Sequence, residues 1–375
     1  MPQLILSPCG TSIFTNAASQ DTRALLNKHA NATQPTDIDP AELRDLERYI
    51  EAATASLLAQ ASMSKLTQQS AELAALIAIY GGQLGSSAGK DHHILLATDT
   101  WLSEQAAKAV EQVLQKHGHS TEVKRHANLR TNDLEGFRVA SAALVEWAYT
   151  TLPGYRESGY HIVFNLTGGF KAVQGFLQTL GTLLADECVY LYERSNQLIR
   201  IPRLPIKMQA DQPIRAHLVT MRRLGTAELN VTPEAAQGLP ELLWMPVGPT
   251  TAMLSEWGDI VWREVKPGIY TEKLHPSPSP MLTFGADFEA TLQDLNGQRI
   301  AQINQKMDDL ARYLESGRTI NPLSLDFKII KGGAKQGSTH EIDAWPDGSA
   351  KRLFGHFDPL NPSHFTVDRL DKALH

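Results

Sequence analysis

The stretch 162–175, IVFNLTGGFKAVQG, constrains the fold more than any other part of the chain. Ile162, Val163 and Phe164 form an unbroken apolar run, the pattern of a strand buried in a parallel sheet. From Lys171 through Phe176 to Leu184 the apolar residues recur at helical spacing. Between the two stand Asn165, Leu166, Thr167, Gly168 and Gly169. A strand, a glycine turn and a helix start aim backbone N–H groups and a helix N-terminus beyond the strand end. That arrangement favours an anion, usually a phosphate. Thr167 adds a hydroxyl, Asn165 an amide and Lys171 a cation. Plain strand-to-helix turns also carry paired glycines, so the turn gains meaning only from a second one. Leu4, Ile5 and Leu6 lead into Ser7-Pro8-Cys9-Gly10-Thr11-Ser12, again small and hydroxylated after an apolar run. In an open parallel sheet, ligands bind outside the carboxyl ends of the strands. One pocket is therefore expected, bound by Gly10, Thr11, Ser12, Asn165, Thr167, Gly168, Gly169 and Lys171.

A first strand followed by SPCGTSIFTN and a later one followed by NLTGGFKAVQG resemble the two signature loops of the CRISPR-associated Rossmann-fold (CARF) sensor domains. The likeness spans roughly the first 200 residues, the size of one α/β domain. It implies a Rossmann-like sensor over 1–207 that binds a cyclic oligoadenylate made by type III CRISPR complexes, with cyclic tetra-adenylate as the expected activator. A symmetric ring suits a homodimer, because an isologous interface presents identical patches.

Strand and helix alternate through this region, as a parallel sheet covered on both faces requires. Pro40 opens a helix over 41–61, and 64–80 reads as a second helix. A strand over 93–97, a helix from 100 to 117, a weak strand at 122–124 and an amphipathic helix over 133–150 follow. A strand over 188–192 and a hairpin partner at 196–201 complete the unit. Pro202, Pro205 and Pro213 mark its end. The segment 208–274 has short helices at 233–238 and 251–257 and strands near 242–244 and 260–262. A winged-helix-like connector fits it. A DNA reader would need a basic recognition helix; only Arg215, Arg222 and Arg223 cluster, so a connector or dimer-forming role is preferred. Alternating prolines over 275–280 predict a stiff spacer before a separate domain.

The remainder, 281–375, reads as helices over 284–296 and 300–315, then a small antiparallel sheet with a hairpin signal at Asp347-Gly348. This α+β order resembles the RelE superfamily of toxin ribonucleases. Lys331-Gly332, Glu341-Ile342 and Arg352 match that family's Lys-Gly, aromatic-Glu-hydrophobic and Arg patterns, whereas Asp343 departs from its usual basic residue. Cleaving RNA without metal needs a group to take the 2′-hydroxyl proton, positive charge for the phosphorane and an acid for the leaving oxygen. The residues proposed for this are Arg352, His356, His340, Lys331 and Glu341. Alternation puts Arg352, Phe354 and His356 on one face, though Gly355 could mark a bulge. No complete acid–base set is present, and the RelE likeness implies mRNA on the ribosome as substrate.

Other readings have different requirements. A cyclic-oligoadenylate-responsive transcription regulator would leave the C-terminal domain idle. A HEPN-type ribonuclease would use Arg369 and His375, which have five residues between them, but thirteen histidines make such spacings frequent. The sensor pocket itself could cleave its ligand through Thr11, Ser12 and Lys171. A net charge of −6 excludes a general polycation, so any nucleic-acid site must be local. Two cysteines, Cys9 and Cys188, exclude a disulfide framework and leave no Cys-based zinc site, and no metal or cofactor is expected. With no signal-peptide pattern and no span for a membrane, a cytoplasmic enzyme is expected.

Overall fold

The computed structural model describes the chain except residues 86–89, 131, 193–196, 209–211, 346–350 and 373–375. It divides into two compact units, Met1–Ile206 and Lys207–His375.

The first unit is a six-stranded sheet of β1 (Gln3–Cys9), β2 (His92–Ala97), β3 (Ser120–Arg125), β4 (His161–Asn165), β5 (Glu187–Leu191) and β6 (Leu198–Pro202). The spatial order is β3-β2-β1-β4-β5-β6. Only β5–β6 is antiparallel; the other pairs are parallel. Leu4, Ile5, Leu6, Leu95, Ile162, Val163 and Phe164 are buried, as the apolar runs require for strands covered on both sides. The helices Trp101–Lys116, Leu134–Glu157 and Lys171–Leu184 supply the crossovers. This is a Rossmann-like α/β sheet. Its order reverses between β1 and β4, the switch point at which open α/β sheets bind ligands.

One helix differs from expectation in a way that shapes the site. The 64–80 segment is two helices, Met63–Gln69 and Ala71–Ile79, because Ser70 is extended (φ −140, ψ 131). The Ser70 hydroxyl accepts a hydrogen bond from Leu73 N (3.2 Å) and caps the second helix. Glu72 thereby falls in a first turn whose neighbours Leu73 to Ile77 are buried core.

The second unit holds a hairpin of β7 (Trp244–Val247) and β8 (Thr251–Leu254), and a sheet of β9 (Leu282–Phe284), β10 (Lys328–Ile329), β11 (His340–Asp343), β12 (Lys351–Phe357) and β13 (Phe365–Lys372). The larger sheet runs β10-β11-β12-β13-β9, antiparallel except for β13–β9. The helix Gly297–Glu315 buries Ile303, Met307, Leu310 and Leu314 against Ile342, Leu353, Phe365 and Val367.

Several expected elements change here. Residues 251–257 are mostly strand β8, and 260–262 lie inside the helix Glu256–Tyr270. Ser255 caps that helix through Gly258 N (2.9 Å), with Glu256 and Asp259 in its first turn; capping outweighs the β-propensity of Ile260-Val261-Trp262. The expected 284–296 helix is strand β9 followed by the 3-10 turn Glu289–Leu292. Its apolar residues still face the core, but Gly285 N donates to Val367 O (2.8 Å) and holds the segment against β13. Asn296 then caps the next helix, so Gly297 begins a helix rather than breaking one. The hairpin signal at Asp347-Gly348 lies outside the described residues.

The proline segment is packed rather than a free spacer. His275 and Ser279 are buried, and His275 donates to Ile269 O (2.8 Å). Arg222 donates to Pro276 O (2.6 Å) and Arg223 to Pro278 O (2.8 Å). Arg222 also pairs with Asp308 (2.8 Å), both fully buried, and Arg223 with Glu315 (2.6 Å). Among the described residues, no helix is long and apolar enough to cross a membrane.

Candidate functional site

The crevice of the first unit is built where the loops after β1 and β4 touch. A Cβ on Gly10 would lie 3.3 Å from Gly169 N and Cα, so glycine allows this approach. Gly169 has φ +90, and a Cβ there would fall 2.8 Å from Pro8 Cβ. The N–H groups of both loops do converge, as the turn chemistry predicted. Their target is Glu72. Its Oε1 accepts from Gly10 N (2.8 Å) and Gly169 N (3.2 Å). Its Oε2 accepts from Ser12 Oγ (3.1 Å) and Ser70 Oγ (2.8 Å). Glu72 is 1% exposed, and the described residues give it no ion-pair partner. The expected phosphate cradle therefore already holds a carboxylate. Burial, and then the Glu72 charge, push the Cys9 thiol well up, so Cys9 is a neutral packing group rather than a nucleophile.

The remaining expected residues divide by role. Asn165 is fully buried; it donates to Ser7 Oγ (3.1 Å) and accepts from Thr167 N (3.3 Å), leaving no surface for a ligand. Thr167 Oγ1 accepts from Leu191 N (3.1 Å) and ties the turn to β5. Thr11 accepts Phe14 N and Thr15 N on its carbonyl (3.0 Å each), and Thr11 and Ser12 are half-buried at the mouth. Lys171 is exposed at the start of its helix. It lines a cleft of about 640 Å³ with Thr167, Gln174, Tyr190 and Tyr192.

Gly168 packs directly on the Glu72 carboxylate. A Cβ there would lie 2.3 Å from Glu72 Oε1 and 2.4 Å from its Cδ. Gly168→Ala is expected to destabilise the first unit by about 1–3 kcal/mol through overpacking against a buried side chain held by four hydrogen bonds. A thermal melt of the full chain checks it; a wild-type melt would show that the carboxylate is not fixed.

In the second unit, polar side chains gather on the sheet face away from the helix Gly297–Glu315. Arg352 bridges Glu341 Oε1 (3.2 Å), Asp343 (3.0 Å) and Asp326 (3.7 Å). Glu341 is 3% exposed, and its Oε2 has no hydrogen-bond partner among the described residues. The register shifts at Phe354/Gly355: Phe354 pairs with Arg369 and Gly355 with Val367, so Asp368 is the extra residue. The bulge anticipated at Gly355 thus carries its extra residue on β13, and this brings the Asp368 carboxylate to His356 Nδ1 (3.0 Å). Asp368 also accepts from Ser338 Oγ (2.6 Å), and Arg369 donates to Ser338 Oγ (2.9 Å) while stacking over Phe354. Sequence reading missed Asp368 and Ser338, and weighed Arg369 only as the partner of His375 in a HEPN-type pair. Since a carboxylate only accepts, Nδ1 carries the proton and Nε2 of the half-exposed His356 is left as the acceptor.

His340 does not meet Arg352 over one phosphate, as expected from sequence. It pairs with Gly355 and shares the helix-side face with Ile342, two residues on. There it packs against Phe327 and Phe357 (5.1 Å each). Burial, then the Arg318 charge, lower its pKa and keep the ring neutral. Lys331 is exposed on the loop after β10, where Gly332 and Gly333 take φ +90 and +96. Arg369 lies in a strand, and His375 lies outside the described residues, so the Arg-spacer-His pairing has no helix to sit on. Arg215, Arg222 and Arg223, the basic cluster that a DNA reader would use, each bind a carboxylate: Glu272, Asp308 and Glu315.

No curated protein matches the chain. Residues 67–204, which hold Glu72 and the β4 turn, match the family model described as CRISPR-associated protein (Cas_APE2256), and over that segment this similarity associates the chain with CRISPR systems.

Proposed function

We propose that the chain is a type III CRISPR ribonuclease switched on by a cyclic oligoadenylate. The observation carrying this reading is the position of the two signature loops: they meet at the switch point of a Rossmann-like sheet, and the second of them lies inside the segment similar to a CRISPR-associated family. Two copies of the chain would present two such crevices to one ring of cyclic tetra-adenylate. The ring would reach the cleft lined by the exposed Lys171, with Tyr190 and Tyr192 available to stack on bases and the half-buried Thr11 and Ser12 on the loop after β1. In the second unit, residues 208–274 would act as a winged-helix-like connector and 281–375 as a RelE-like nuclease. Differential binding of the ring to two dimer arrangements would supply the switching free energy.

The sheet face suggests the chemistry. His356 Nε2 takes the ribose 2′-hydroxyl proton, and the 2′-oxygen attacks phosphorus. Arg352 and Arg369 offer guanidinium N–H groups to the phosphorane oxygens. The 5′-oxygen leaves with a proton from Lys331 or from an ordered group of the ribosome. The products are a 2′,3′-cyclic phosphate and a 5′-hydroxyl end. Because Arg352 is held by three carboxylates, substrate must compete for it, which suits a site completed on the ribosome.

Lys171→Ala is expected to weaken cyclic tetra-adenylate binding on the order of tenfold, the size of one charge-assisted hydrogen bond, without changing the melt of the second unit. Calorimetric titration measures this, and unchanged affinity would remove Lys171 from the pocket. The reading as a whole is tested by mapping mRNA ends on translating ribosomes with and without cyclic tetra-adenylate.

A further inference from the structure

Two backbone N–H groups and two hydroxyls that converge from separate loops would, left open, bind a phosphate. In the first unit these donors are Gly10 N, Gly169 N, Ser12 Oγ and Ser70 Oγ, and all four end on the Glu72 carboxylate. We propose that Glu72 is the selectivity element of the crevice. It is the resident anion of the cradle, and it excludes the terminal phosphates of ordinary nucleotides.

Three features make Glu72 resident rather than a plug that a ligand lifts away. Its carboxylate has about four lone-pair sites, and four donors fill them. Its backbone is fixed in the first turn of a Ser70-capped helix whose following residues are buried. Its side chain lies against the Gly168 backbone, so closely that a methyl group there would collide with it. The fixed charge then repels a phosphate monoester or polyphosphate brought to the same donors. A ligand admitted to the crevice must turn neutral donors, ribose hydroxyls or base amines, toward the floor. Its phosphodiesters would stay near Lys171 at the rim. A closed ring of phosphodiesters can do this, whereas ATP, with its charge concentrated at one end, is turned away. The identity of the admitted ligand rests on the function proposed above; the exclusion of phosphate does not.

The test uses the full chain as wild type, Glu72→Gln and Glu72→Ala. Thermal melts are recorded in inorganic phosphate, in formate and in sodium chloride of equal ionic strength, and ATP and cyclic tetra-adenylate binding are measured by calorimetry. The wild-type melt is expected to be the same in phosphate as in chloride. Glu72→Ala is expected to melt lower in chloride and to recover in formate or phosphate, which refill the cradle. Glu72→Gln keeps the shape and an acceptor for the two N–H groups but loses the charge, and its ATP affinity is expected to rise at least about tenfold. Phosphate stabilising the wild type as much as the variants would overturn the proposal, as would neither variant gaining affinity for phosphate or ATP. If Glu72→Ala does not fold, the Glu72→Gln titration decides alone. If the wild type fails to bind cyclic tetra-adenylate while the variants gain phosphate, the proposed function falls and the role of Glu72 stands.

Discussion

Arg222→Ala is expected to destabilise the second unit by about 3–5 kcal/mol, the range for removing one partner of a buried ion pair. The guanidinium is fully buried, holds Asp308 Oδ1 through two nitrogens (2.8 and 2.9 Å) and serves three further groups: Tyr270 Oη (3.1 Å), Pro276 O (2.6 Å) and Asn304 O (3.0 Å). Truncation leaves Asp308, itself fully buried, with Tyr270 Oη (2.5 Å) and Lys266 (3.4 Å) as its side-chain partners among the described residues. It also takes the donor from the Pro276 carbonyl. Lysine cannot replace it, because a single ammonium cannot span donors set in a planar fork. The residue joins the helix Leu218–Leu224, the proline segment and the helix Gly297–Glu315, so the residues on both sides of the proline segment should unfold together. Urea unfolding of the full chain, followed by tryptophan fluorescence, measures the loss. Wild-type stability would show that the pair contributes little; a second unit that melts in two steps would show that the proline segment is a hinge after all.

His356→Ala is expected to lower activator-dependent RNA cleavage by about 10²–10⁴-fold, the usual contribution of a positioned general base, with cyclic tetra-adenylate binding unchanged. Asp368→Asn should lower it in the same direction. An asparagine can offer its NH₂ to Nδ1, which favours the tautomer whose Nε2 carries the proton and cannot accept one. The double variant should be no slower than His356→Ala, because residues acting as one unit are not additive. Single-turnover cleavage on programmed ribosomes reads all three. A wild-type rate in His356→Ala would remove it from the chemistry, and additive losses would separate Asp368 from it.

What the sequence made legible was local. The apolar triplets and the paired glycines specify strand, turn and helix within a few residues, so Gly10, Gly168 and Gly169 were identified from turn chemistry alone. Glu72 was not, because its partners lie 62 and 97 residues away and no local rule links them. A signal was present: one carboxylate in the otherwise apolar AELAALIAIY, directly after a serine able to cap. Asp368 was hidden by the bulge, since strict alternation along β13 does not anticipate the inserted residue that brings its carboxylate to His356. His340 could have been placed correctly, because Ile342 is core and a two-residue period puts His340 on the same face. The proline segment misled for a different reason. Its composition reads as a spacer, but Arg222 and Arg223, some fifty residues upstream, take up its carbonyls (|i−j| of 54 and 55).

The central claim is that a cyclic nucleotide held by the first unit licenses RNA cleavage by the second. The most direct measurement sequences mRNA ends after incubating the full chain with translating ribosomes, with and without cyclic tetra-adenylate. The account predicts new 5′-hydroxyl ends within ribosome-bound mRNA only when the activator is present, and at least about a hundredfold fewer with His356→Ala. Equal cutting of free RNA without activator would contradict it.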